Sequence, residues 1–280
     1  MNIAMPDHHP SGAVPAELLE AARAVALACA DAARPIVRRY FRETIGAEMK
    51  GDDSPVTIAD REAEQAMRAV ITKAFPAHDL LGEEYGSGAD AGSDWQWVLD
   101  PIDGTRAFIT GRPTFGTLIA LLHKGRPVLG VLDQPVLGER WIGIEGRRTE
   151  FSSPIGGRIG PRALRDLAAA ELSCTSPDIL SDDAKPRFAN LGRQVRRVSW
   201  GGDCYAYGLL ALGQIDVVAE CTMKVWDWAA LVPIVAGAGG IMTDWQGRPL
   251  DASGDGTVLA LGDPALLDTA VAALAPLSSV

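Results

Sequence analysis

The sequence predicts a protein of mixed α and β structure, with an antiparallel sheet in its N-terminal half and an α/β arrangement in its C-terminal half. The apolar stretch 115–141 is divided by turn signals at Lys124-Gly125 and Leu137-Gly138, which is typical of three antiparallel strands. Beyond residue 163, segments of strand and helix character alternate, which is typical of α/β structure. The 280 residues include 47% hydrophobic and 22% charged residues, a composition that predicts a folded chain with a large core.

Two helices are predicted before the first strands. The first covers about 16–41 and is expected to be disturbed near Pro35, because proline lacks the amide hydrogen that a helix interior needs. The second covers about 58–75, with Thr57 as N-cap and Asp60 three residues later in a capping-box arrangement. Short strand signals follow in "HDLLGEE" and "WQWVLD".

The second half is predicted to alternate between strands and helices. Strand signals lie in "ELSCTS", "QVRRVS", "IDVVAE" and "GIMTDW", and helices are expected near 204–212, over 226–238 and through "PALLDTAVAALA". The segment 145–163 is rich in Gly, Arg, Ser and Pro, which indicates a seam between two halves. We therefore expect a loose tail over 1–13, an N-terminal half over 14–150 and a C-terminal half over 151–280.

Charge and cysteine content narrow the classes of function. A formal net charge of −10 argues against nucleic acid or an anionic membrane as the main partner. The chain has no uncharged apolar stretch of 18 or more residues, so no membrane span is expected. The four cysteines show no C-x-x-C spacing, which favours buried thiols in a reducing compartment. These observations predict a cytoplasmic protein that acts on a small molecule.

The stretch "WVLDPIDGT" places two carboxylates where a ligand is expected. Asp100 ends an apolar run, and ligands gather at the carboxyl ends of strands in α/β architectures. Pro101 stiffens the bend, so that Asp100 and Asp103 can face the same space with the carbonyl of Ile102 as a third oxygen donor. Gly104 allows the backbone to approach a ligand closely. The alternative is an Asp-rich turn that only caps a helix.

Further acidic residues make a joint site more plausible than an isolated turn. Glu83 and Glu84 follow the strand-like "DLL", and one of two adjacent acids often faces solvent, which leaves Glu84 the weaker candidate. Asp227 opens an apolar helix, where the helix dipole favours a carboxylate in any case. Asp60 also opens a helix and could act as a cap alone. Thr105 is expected to begin a helix whose first amides suit a phosphate.

The convergence of these acids would require cations. Two like charges about 4 Å apart repel by roughly 4 kcal/mol at an effective dielectric constant of ~20. Oxygen ligands from carboxylates, a carbonyl and water suit Mg²⁺ or Mn²⁺ better than Zn²⁺. His78 and His123 lie outside the motifs, and neither a Gly-x-Ser-x-Gly elbow nor a Cys/His pairing offers a covalent route. Attack on phosphorus by metal-activated water is the remaining hypothesis.

These motifs resemble those of the inositol monophosphatase superfamily of Mg²⁺-dependent phosphatases. Its hallmarks are G-E-E, D-P-[IL]-D-G-T, and W-D followed by a helix that ends in A-G-G. The chain carries them in this order at 82–84, at 100–105, and at 226–227 with Gly239 and Gly240. The agreement covers about residues 15–275, and three linked motifs in order are specific. The resemblance implies a layered αβαβα sandwich and a homodimer.

The resemblance also implies the roles of the site residues. Five metal ligands are expected: Glu83, Asp100, Ile102 through its carbonyl, Asp103 and Asp227. They are expected to hold two Mg²⁺ ions, with a third, weaker ion near Glu83 and Mn²⁺ as a substitute. Thr105 and Glu83 are expected to orient and deprotonate the attacking water, with Asp60 in support. The amides of Gly104 and Thr105 are expected to bind the phosphate.

Within the superfamily the chain most resembles histidinol-phosphate phosphatases, through "DPIDGTRAFITGRPTFGTLIALL", "GGDCYAYGLLALGQIDVVAE" and "DWAALVPIVAGAGGIMTDWQG". Inositol phosphatases typically carry a small residue where this chain has Asp203. Asp203 and Glu220, together with Asp227, are therefore expected to bind the substrate and its ammonium group. Asp203 could also be the N-cap of the following helix, either alone or in addition to that role. Inositol monophosphate and a 3′-phosphorylated adenosine nucleotide remain alternative substrates, and a regulatory protein without turnover is the alternative from another class.

Overall fold

The computed structural model describes residues 14–44, 48–49, 55–88 and 92–276. The predicted tail over 1–13 lies outside the described residues. The α-helices of the described part of the chain are α1 (Ala16–Tyr40), α2 (Ile58–Ala74), α3 (Thr105–Ile109), α4 (Ala184–Gly192), α5 (Asp203–Ala211), α6 (Val225–Trp228), α7 (Leu231–Ala238) and α8 (Leu267–Ala273).

The strands form two large sheets and one small pair. In chain order the strands are β1 (Glu48–Met49), β2 (Pro55–Val56), β3 (Asp79–Gly82), β4 (Gly86–Ser87), β5 (Trp95–Asp103), β6 (Gly116–His123), β7 (Arg126–Gln134), β8 (Glu139–Ile144), β9 (Glu150–Ser152), β10 (Glu171–Cys174), β11 (Arg197–Trp200), β12 (Val217–Glu220), β13 (Ile241–Thr243) and β14 (Val258–Leu261). The seven-stranded sheet has the order β4-β3-β5-β6-β7-β8-β9, and the five-stranded sheet has the order β11-β10-β12-β14-β13. Strands β1 and β2 pair with each other.

The seven-stranded sheet contains the predicted meander. Strands β5 to β9 pair antiparallel with their neighbours in sequence order, and the turns fall at the predicted glycines. The sheet departs from the expectation at one place, since β3 pairs parallel to β5. A parallel pair cannot be joined by a tight turn, and the chain passes through β4 between β3 and β5.

Three apolar clusters establish the layer order. One cluster packs α1 and α2 against one face of the seven-stranded sheet. A second fills the space between the two large sheets, around α5, α6 and α7. A third covers the outer face of the five-stranded sheet with α4 and α8. The αβαβα sandwich is thereby confirmed, whereas the division of the chain at residue 150 stays a prediction.

The five-stranded sheet is mixed rather than wholly parallel. Strand β10 pairs parallel with β11 and β12, while β14 pairs antiparallel with β12 and β13. The sequence reasoning did not find β14 or α4. The helix predicted over 226–238 is wrong as one element, because it is divided into α6 and α7. Pro233 lies in the first turn of α7, and in a continuous helix its ring would clash with the carbonyl of Ala229.

The two N-terminal helices agree with the sequence except at Pro35. Helix α1 runs through Pro35 to Tyr40, with the buried residues Ala33 and Val37 on either side, so packing maintains the helix across the missing hydrogen bond. At the start of α2, the Thr57 hydroxyl accepts from the amide of Ala59, and the Thr57 amide donates to Asp60 at 2.8 Å. The predicted capping box is confirmed. Within the described ranges, no helix combines the length and apolar character needed to cross a membrane.

A buried carboxylate anchors α1 to the sheet. Asp133 on β7 is fully buried and accepts hydrogen bonds from Arg34 of α1 at 2.5 and 3.0 Å. It also accepts from Arg140 of β8 at 2.6 Å, and Arg140 contacts Asp31 of α1 at 2.8 Å. These contacts fix the outer helical layer to the strands that lead towards the acidic site.

Replacing Asp133 by alanine is expected to lower the free energy of unfolding by about 3 kcal/mol. The substitution leaves two guanidinium groups without their shared buried partner, and removing one member of a buried ion pair costs on the order of 3–5 kcal/mol. We expect the lower end because Arg140 keeps Asp31. Urea unfolding followed by circular dichroism measures the effect. The matched control is Asp182→Ala, whose side chain is exposed and pairs only with Lys185 on the surface.

Candidate active site

Asp100 and Asp103 lie on the last part of β5, where its pairing with β6 becomes irregular. Asp100 is opposite Leu118 and Asp103 is opposite Gly116, and the register shifts between these two positions. The irregularity coincides with Pro101, which cannot donate to a sheet hydrogen bond, while the carbonyl of Pro101 accepts from the hydroxyl of Thr117 at 2.8 Å. A local break in the strand therefore brings the two carboxylates together.

Asp227 joins these two from a distant part of the chain. It lies in α6, the short helix that packs against β5 and β6. One carboxylate oxygen from each of Asp100, Asp103 and Asp227 lies within 4.8 Å of the others. The sequence motifs predicted that these three residues converge, and the fold brings them together.

Backbone amides fix the orientation of all three carboxylates. Asp100 accepts from the amide of Ile102 at 3.0 Å, and Asp227 accepts from the amide of Lys224 at 2.7 Å. Asp103 accepts from the amide of Cys204, at the start of α5, at 2.6 Å. Each of these hydrogen bonds is accepted by one oxygen of a carboxylate. The side chains are therefore oriented before any ligand binds.

The cluster is electrostatically unfavourable without a cation. Burial raises the pKa of Asp100 well above its ordinary value, and the charges of Glu83, Asp103 and Asp227 raise it further. Burial and the charge of Asp203 raise the pKa of Asp103 to about 8, although the hydrogen bond from Cys204 lowers it. Burial and the charge of Asp103 raise the pKa of Asp227 well above its ordinary value. Desolvation is the main cause in all three cases.

Glu83 belongs to the same cluster. It follows β3 directly, and its amide donates to the carbonyl of Leu99 on the parallel neighbour β5 at 3.1 Å. Its charge contributes to the raised pKa values of Asp100, Asp227 and Asp60. The parallel pairing of β3 and β5 therefore brings the G-E-E motif beside the D-P-I-D motif.

The turn after β5 carries the remaining predicted groups of the first motif. Thr105 begins α3, as expected, and its hydroxyl donates to the carbonyl of Ile102 at 3.1 Å. Gly104 has a left-handed backbone with φ of +93°, and a Cβ atom there would lie 2.9 Å from Asp203. Glycine is required at this position because both the backbone conformation and the close contact with the C-terminal half exclude a side chain.

Asp60 lies at the edge of the cluster. One of its oxygens accepts from the amide of Thr57 at 2.8 Å and from its hydroxyl at 2.5 Å, so the contacts of Asp60 run to Thr57 rather than to Thr105. The other oxygen is buried and has no hydrogen-bond partner among the described residues. Burial raises the pKa of Asp60 to about 6, against the hydrogen bonds of Thr57, which lower it.

A cavity of about 160 Å³ opens beside Asp103 and Asp227. Glu220 at the end of β12 lines it, and one of its oxygens accepts from the amide and the hydroxyl of Thr175 at 3.0 and 2.7 Å. Burial raises the pKa of Glu220 to about 7, although the contacts with Thr175 lower it. Asp203 also lines the cavity, so both predicted specificity acids border the same space as the cluster.

Asp203 is held in an unusual conformation. It has a φ of +45° as the first residue of α5, whose N-cap is Gly202, so the N-cap interpretation of Asp203 is wrong. Burial raises the pKa of Asp203 to about 6, while the charges of Arg112 and Arg106 lower it. A non-glycine residue in the left-handed region is typical of functional sites, where the surrounding structure compensates for the strain.

One of three aromatic residues near the acids borders the cavity. Tyr207 lines the cavity and is fully buried. The hydroxyl of Tyr205 donates to the buried Glu139 at 2.6 Å, and Trp200 is exposed beside Phe188. Only Tyr207 therefore borders the site among these three.

The sequence reasoning missed three residues around the acids. Thr175 follows β10 directly, and its place at a strand end was the available signal. Arg106 and Arg112 lie in the quoted stretch after Asp103, and two cations so close to an acidic motif were a signal for their electrostatic effect on Asp203.

The residues at this site fit divalent cations. Several buried or half-buried carboxylates share one small region, burial and mutual charge raise their pKa values, and one Asp60 oxygen has no partner among the residues that the structure describes. Oxygen donors of this kind suit Mg²⁺. The donor set contains neither a thiolate nor an imidazole, which are the groups that favour zinc.

Comparisons with known proteins agree with this geometry. The bifunctional phosphatase IMPL2, chloroplastic, of Arabidopsis thaliana is 49% identical over 226 residues, which are 80% of this chain and 64% of that protein. The histidinol-phosphatase of Mycobacterium tuberculosis is 39% identical over 80% of this chain and 87% of that protein. A solved inositol monophosphatase from Zymomonas mobilis is 45% identical, with a TM-score of 0.82, over 93% of this chain and 99% of that chain. A model of the inositol monophosphatase family matches residues 18–277, and the chain therefore belongs to that family.

Proposed function

We propose that this protein is a Mg²⁺-dependent hydrolase of phosphate monoesters and that its substrate is L-histidinol phosphate. The observation that carries the proposal is the convergence of Asp100, Asp103 and Asp227 beside a cavity that Glu220 and Asp203 also line. The first group suits metal ions and a phosphate. The second group suits a cationic leaving group.

The metal ligands in this proposal are those that the sequence analysis identified. Glu83, Asp100 and the carbonyl of Ile102 would hold one ion, and Asp100, Asp103 and Asp227 would hold a second. When bound, Mg²⁺ lowers the pKa of water and neutralises charge on the phosphate oxygens. Asp60, one of whose buried oxygens has no hydrogen-bond partner in the described ranges, is available for a further ion near Glu83.

The chain's own groups position the reactants. The hydroxyl of Thr105 donates to the carbonyl of Ile102 at 3.1 Å. The hydroxyl oxygen can therefore accept a hydrogen bond from a water molecule and orient it. Thr105 and Glu83 together would orient this water and help to deprotonate it. The amides of Gly104 and Thr105 bind the phosphate, since an amide at a helix start carries a hydrogen without an intrahelical partner. Asp60, which is part of the capping box at the start of α2, supports this positioning of the water.

The cavity suits the leaving group of histidinol phosphate. That alcohol carries an ammonium and an imidazole, and one Glu220 oxygen is held by Thr175 while the carboxylate borders the cavity. A charge-assisted hydrogen bond to the ammonium contributes on the order of 1.5–3 kcal/mol. Asp203 also lines the cavity and adds negative charge there. Two curated relatives named histidinol-phosphatase, one of them 39% identical, support this choice.

Inositol monophosphate is the second candidate substrate. A solved relative with 45% identity is called an inositol monophosphatase, and the relative with 49% identity is called bifunctional. Inositol lacks a cation, so its hydroxyls can donate hydrogen bonds to these carboxylates but cannot pair with their charge. The acids Glu220 and Asp203 thus favour histidinol phosphate on physical grounds.

The test is a comparison of kcat/KM for L-histidinol phosphate, inositol 1-phosphate and adenosine 3′,5′-bisphosphate under saturating Mg²⁺. We expect histidinol phosphate to exceed the other two by at least about tenfold, equivalent to about 1.4 kcal/mol in the transition state. Equal or higher values for inositol 1-phosphate would refute the substrate assignment but leave the hydrolase assignment intact. Absence of phosphate release from all three would refute both.

Replacing Glu220 by glutamine is expected to raise KM for histidinol phosphate by roughly 10- to 100-fold, because the variant loses a charged partner for the ammonium. The KM for a phosphate ester without a cation, such as glycerol 2-phosphate, is expected to change by less than about threefold. Steady-state kinetics with both esters measure the difference. Glu150→Gln is the control, since Glu150 pairs with Arg23 away from the cavity. Equal losses for both esters would assign Glu220 a structural role instead.

We also propose that the protein acts in histidine biosynthesis and that it forms a homodimer. Within each chain, the predicted halves 14–150 and 151–280 both contribute residues to the active site. Light scattering coupled to size-exclusion chromatography tests the dimer. Rescue of a histidine auxotroph that lacks histidinol phosphatase tests the pathway.

A further inference from the structure

A buried glutamate outside the predicted metal ligands contacts the turn that carries Glu83. Strands β3 and β4 form a hairpin in which Gly82 pairs with Gly86, so Glu83, Glu84 and Tyr85 make up its loop. The carboxylate of Glu64 on α2 accepts from the amide of Glu84 at 2.8 Å and from the amide of Tyr85 at 3.3 Å. The loop is therefore tied to a helix by two hydrogen bonds to one side chain.

Arg68 completes this contact. Its guanidinium donates to Glu64 at 2.6 Å and to the carbonyl of Gly86 at 2.5 Å, and it lies 5.8 Å from the centre of the Tyr85 ring. Glu64 is fully buried. A buried carboxylate is stable only when it is paired and hydrogen-bonded, and here Arg68 and the two loop amides meet that requirement.

The glycine of the G-E-E motif is needed for the same contact. A Cβ atom on Gly82 would lie 1.9 Å from one Glu64 oxygen and 2.7 Å from the other. Any larger residue would displace the Glu64 carboxylate from the loop. The requirement for glycine before Glu83 is therefore steric and comes from Glu64 on α2, although α2 and the motif are separate in sequence.

The positions of these residues on α2 form a stripe. Asp60, Glu64 and Arg68 are spaced by four residues and lie on one face of the helix. Asp60 lies close enough to Glu83 for the charge of Glu83 to add to the effect of burial in raising the pKa of Asp60. Glu64 and Arg68 contact the loop formed by residues 83–85. One helix face therefore sets the place of the G-E-E motif relative to the aspartates on β5.

We infer that Glu64 is a positioning residue for the metal site: with Arg68, it holds the 83–85 loop so that Glu83 is presented to the cations. This inference rests on the proposed function, because it assigns Glu83 to metal binding. Residues that orient a metal ligand commonly change metal affinity by roughly 10- to 100-fold when they are replaced.

The test compares Glu64→Gln with the wild-type protein and with Glu62→Gln. Glutamine preserves the shape of Glu64 but turns one oxygen into a donor, so one of the amides or Arg68 loses its acceptor. Glu62 lies on the same helix and pairs with Arg39 at the surface, which makes it a matched control. Calorimetric titration of the metal-free proteins with MgCl₂ measures affinity, and hydrogen exchange measures the loop amides.

We expect Glu64→Gln to weaken Mg²⁺ binding by roughly 10- to 100-fold and to speed exchange of the Glu84 and Tyr85 amides at least about tenfold in the metal-free protein. At saturating Mg²⁺, kcat is expected to return to within about threefold of the wild-type value, a split that general destabilisation would not give. Glu62→Gln is expected to match the wild type. Unchanged Mg²⁺ affinity or unchanged exchange in Glu64→Gln would overturn the inference.

A second variant keeps the inference testable if Glu64→Gln does not fold. Arg68→Met leaves the Glu64 carboxylate in place but removes its cation and the contact with Gly86. We expect it to weaken Mg²⁺ binding and speed exchange of the same two amides, and a variant equal to the wild type would overturn the inference. A wild-type protein that does not respond to Mg²⁺ would instead refute the proposed function.

Discussion

Replacing Asp103 by asparagine is expected to lower kcat for histidinol phosphate about a thousandfold at saturating Mg²⁺. The substitution removes one of the negative charges that would face the cations, and even two unit charges about 4 Å apart interact by about 4 kcal/mol at an effective dielectric constant of ~20. At 1.36 kcal/mol per factor of ten, this corresponds to about three orders of magnitude in rate. Phosphate release under single-substrate saturation measures the loss.

The same variant is expected to fold normally. Asparagine keeps an oxygen that can accept from the amide of Cys204, so the contact at the start of α5 survives. It also removes a carboxylate whose pKa burial raises to about 8, and the metal-free variant is therefore expected to be at least as stable as the wild type above that pH. Asp182→Asn, at an exposed position, serves as the control. A turnover rate within threefold of the wild type would contradict the assignment of Asp103 as a metal ligand.

Local features of the fold were predictable from the sequence because their causes are local. The capping box at Thr57 and Asp60 depends on residues three apart, and the meander depends on turn signals between apolar runs. The start of α3 at Thr105 follows from the turn at Gly104. Each of these features is determined by a few neighbouring residues.

Features that depend on tertiary packing were less accessible. Strand β14 and helix α4 pack in the outer cluster of the five-stranded sheet, and neither has a strong periodic signal of its own. The division between α6 and α7 depends on the clash that Pro233 would cause in a continuous helix. Pro233 is visible in the sequence, but the apolar run around it favoured a single helix. The positive φ of Asp203 has no local sequence signal, because its contact with Gly104 spans both halves.

The candidate site shows the same division. Three motifs in order named the acids through a family resemblance, but spacing alone could not show that residues as far apart as Asp100 and Asp227 meet. The contact of Glu64 with the loop after Glu83 was also out of reach, since Glu64 reads as one more polar position on an amphipathic helix. Its partner Gly82 gave the only hint, as a glycine at a strand end.

The same grouping of carboxylates that suits cation binding lowers the stability of the cation-free fold. In the absence of cations, the fold must either protonate Asp100, Asp103, Asp227 and Glu220 or tolerate their repulsion. Backbone hydrogen bonds to the three aspartates offset only part of this cost. A bound cation reverses the sign of the effect, because it stabilises the ionised form of the same groups. Stability should therefore depend on pH and Mg²⁺ together.

Removing divalent cations is expected to make the melting temperature fall as the pH rises from about 5 to 8. Burial raises the pKa of Glu220 from 4.5 to about 7 and that of Asp103 from 3.8 to about 8. The folded state therefore holds these protons more tightly than the unfolded state, and stability is lost as the pH rises from the unfolded pKa through the folded one. For Glu220 alone the loss is about 3 kcal/mol, or on the order of 5–10 °C in melting temperature.

Saturating Mg²⁺ is expected to abolish most of this slope, since the cations favour the deprotonated carboxylates. Thermal unfolding by differential scanning fluorimetry, with EDTA or with MgCl₂ at each pH, measures the difference. Asp103→Asn in EDTA should show a shallower decline than the wild type, because one of the titrating groups is gone, whereas Asp182→Asn should follow the wild type. Identical pH dependence with and without Mg²⁺ would mean that the acidic cluster does not bind the cation, and the proposed chemistry would fall with it.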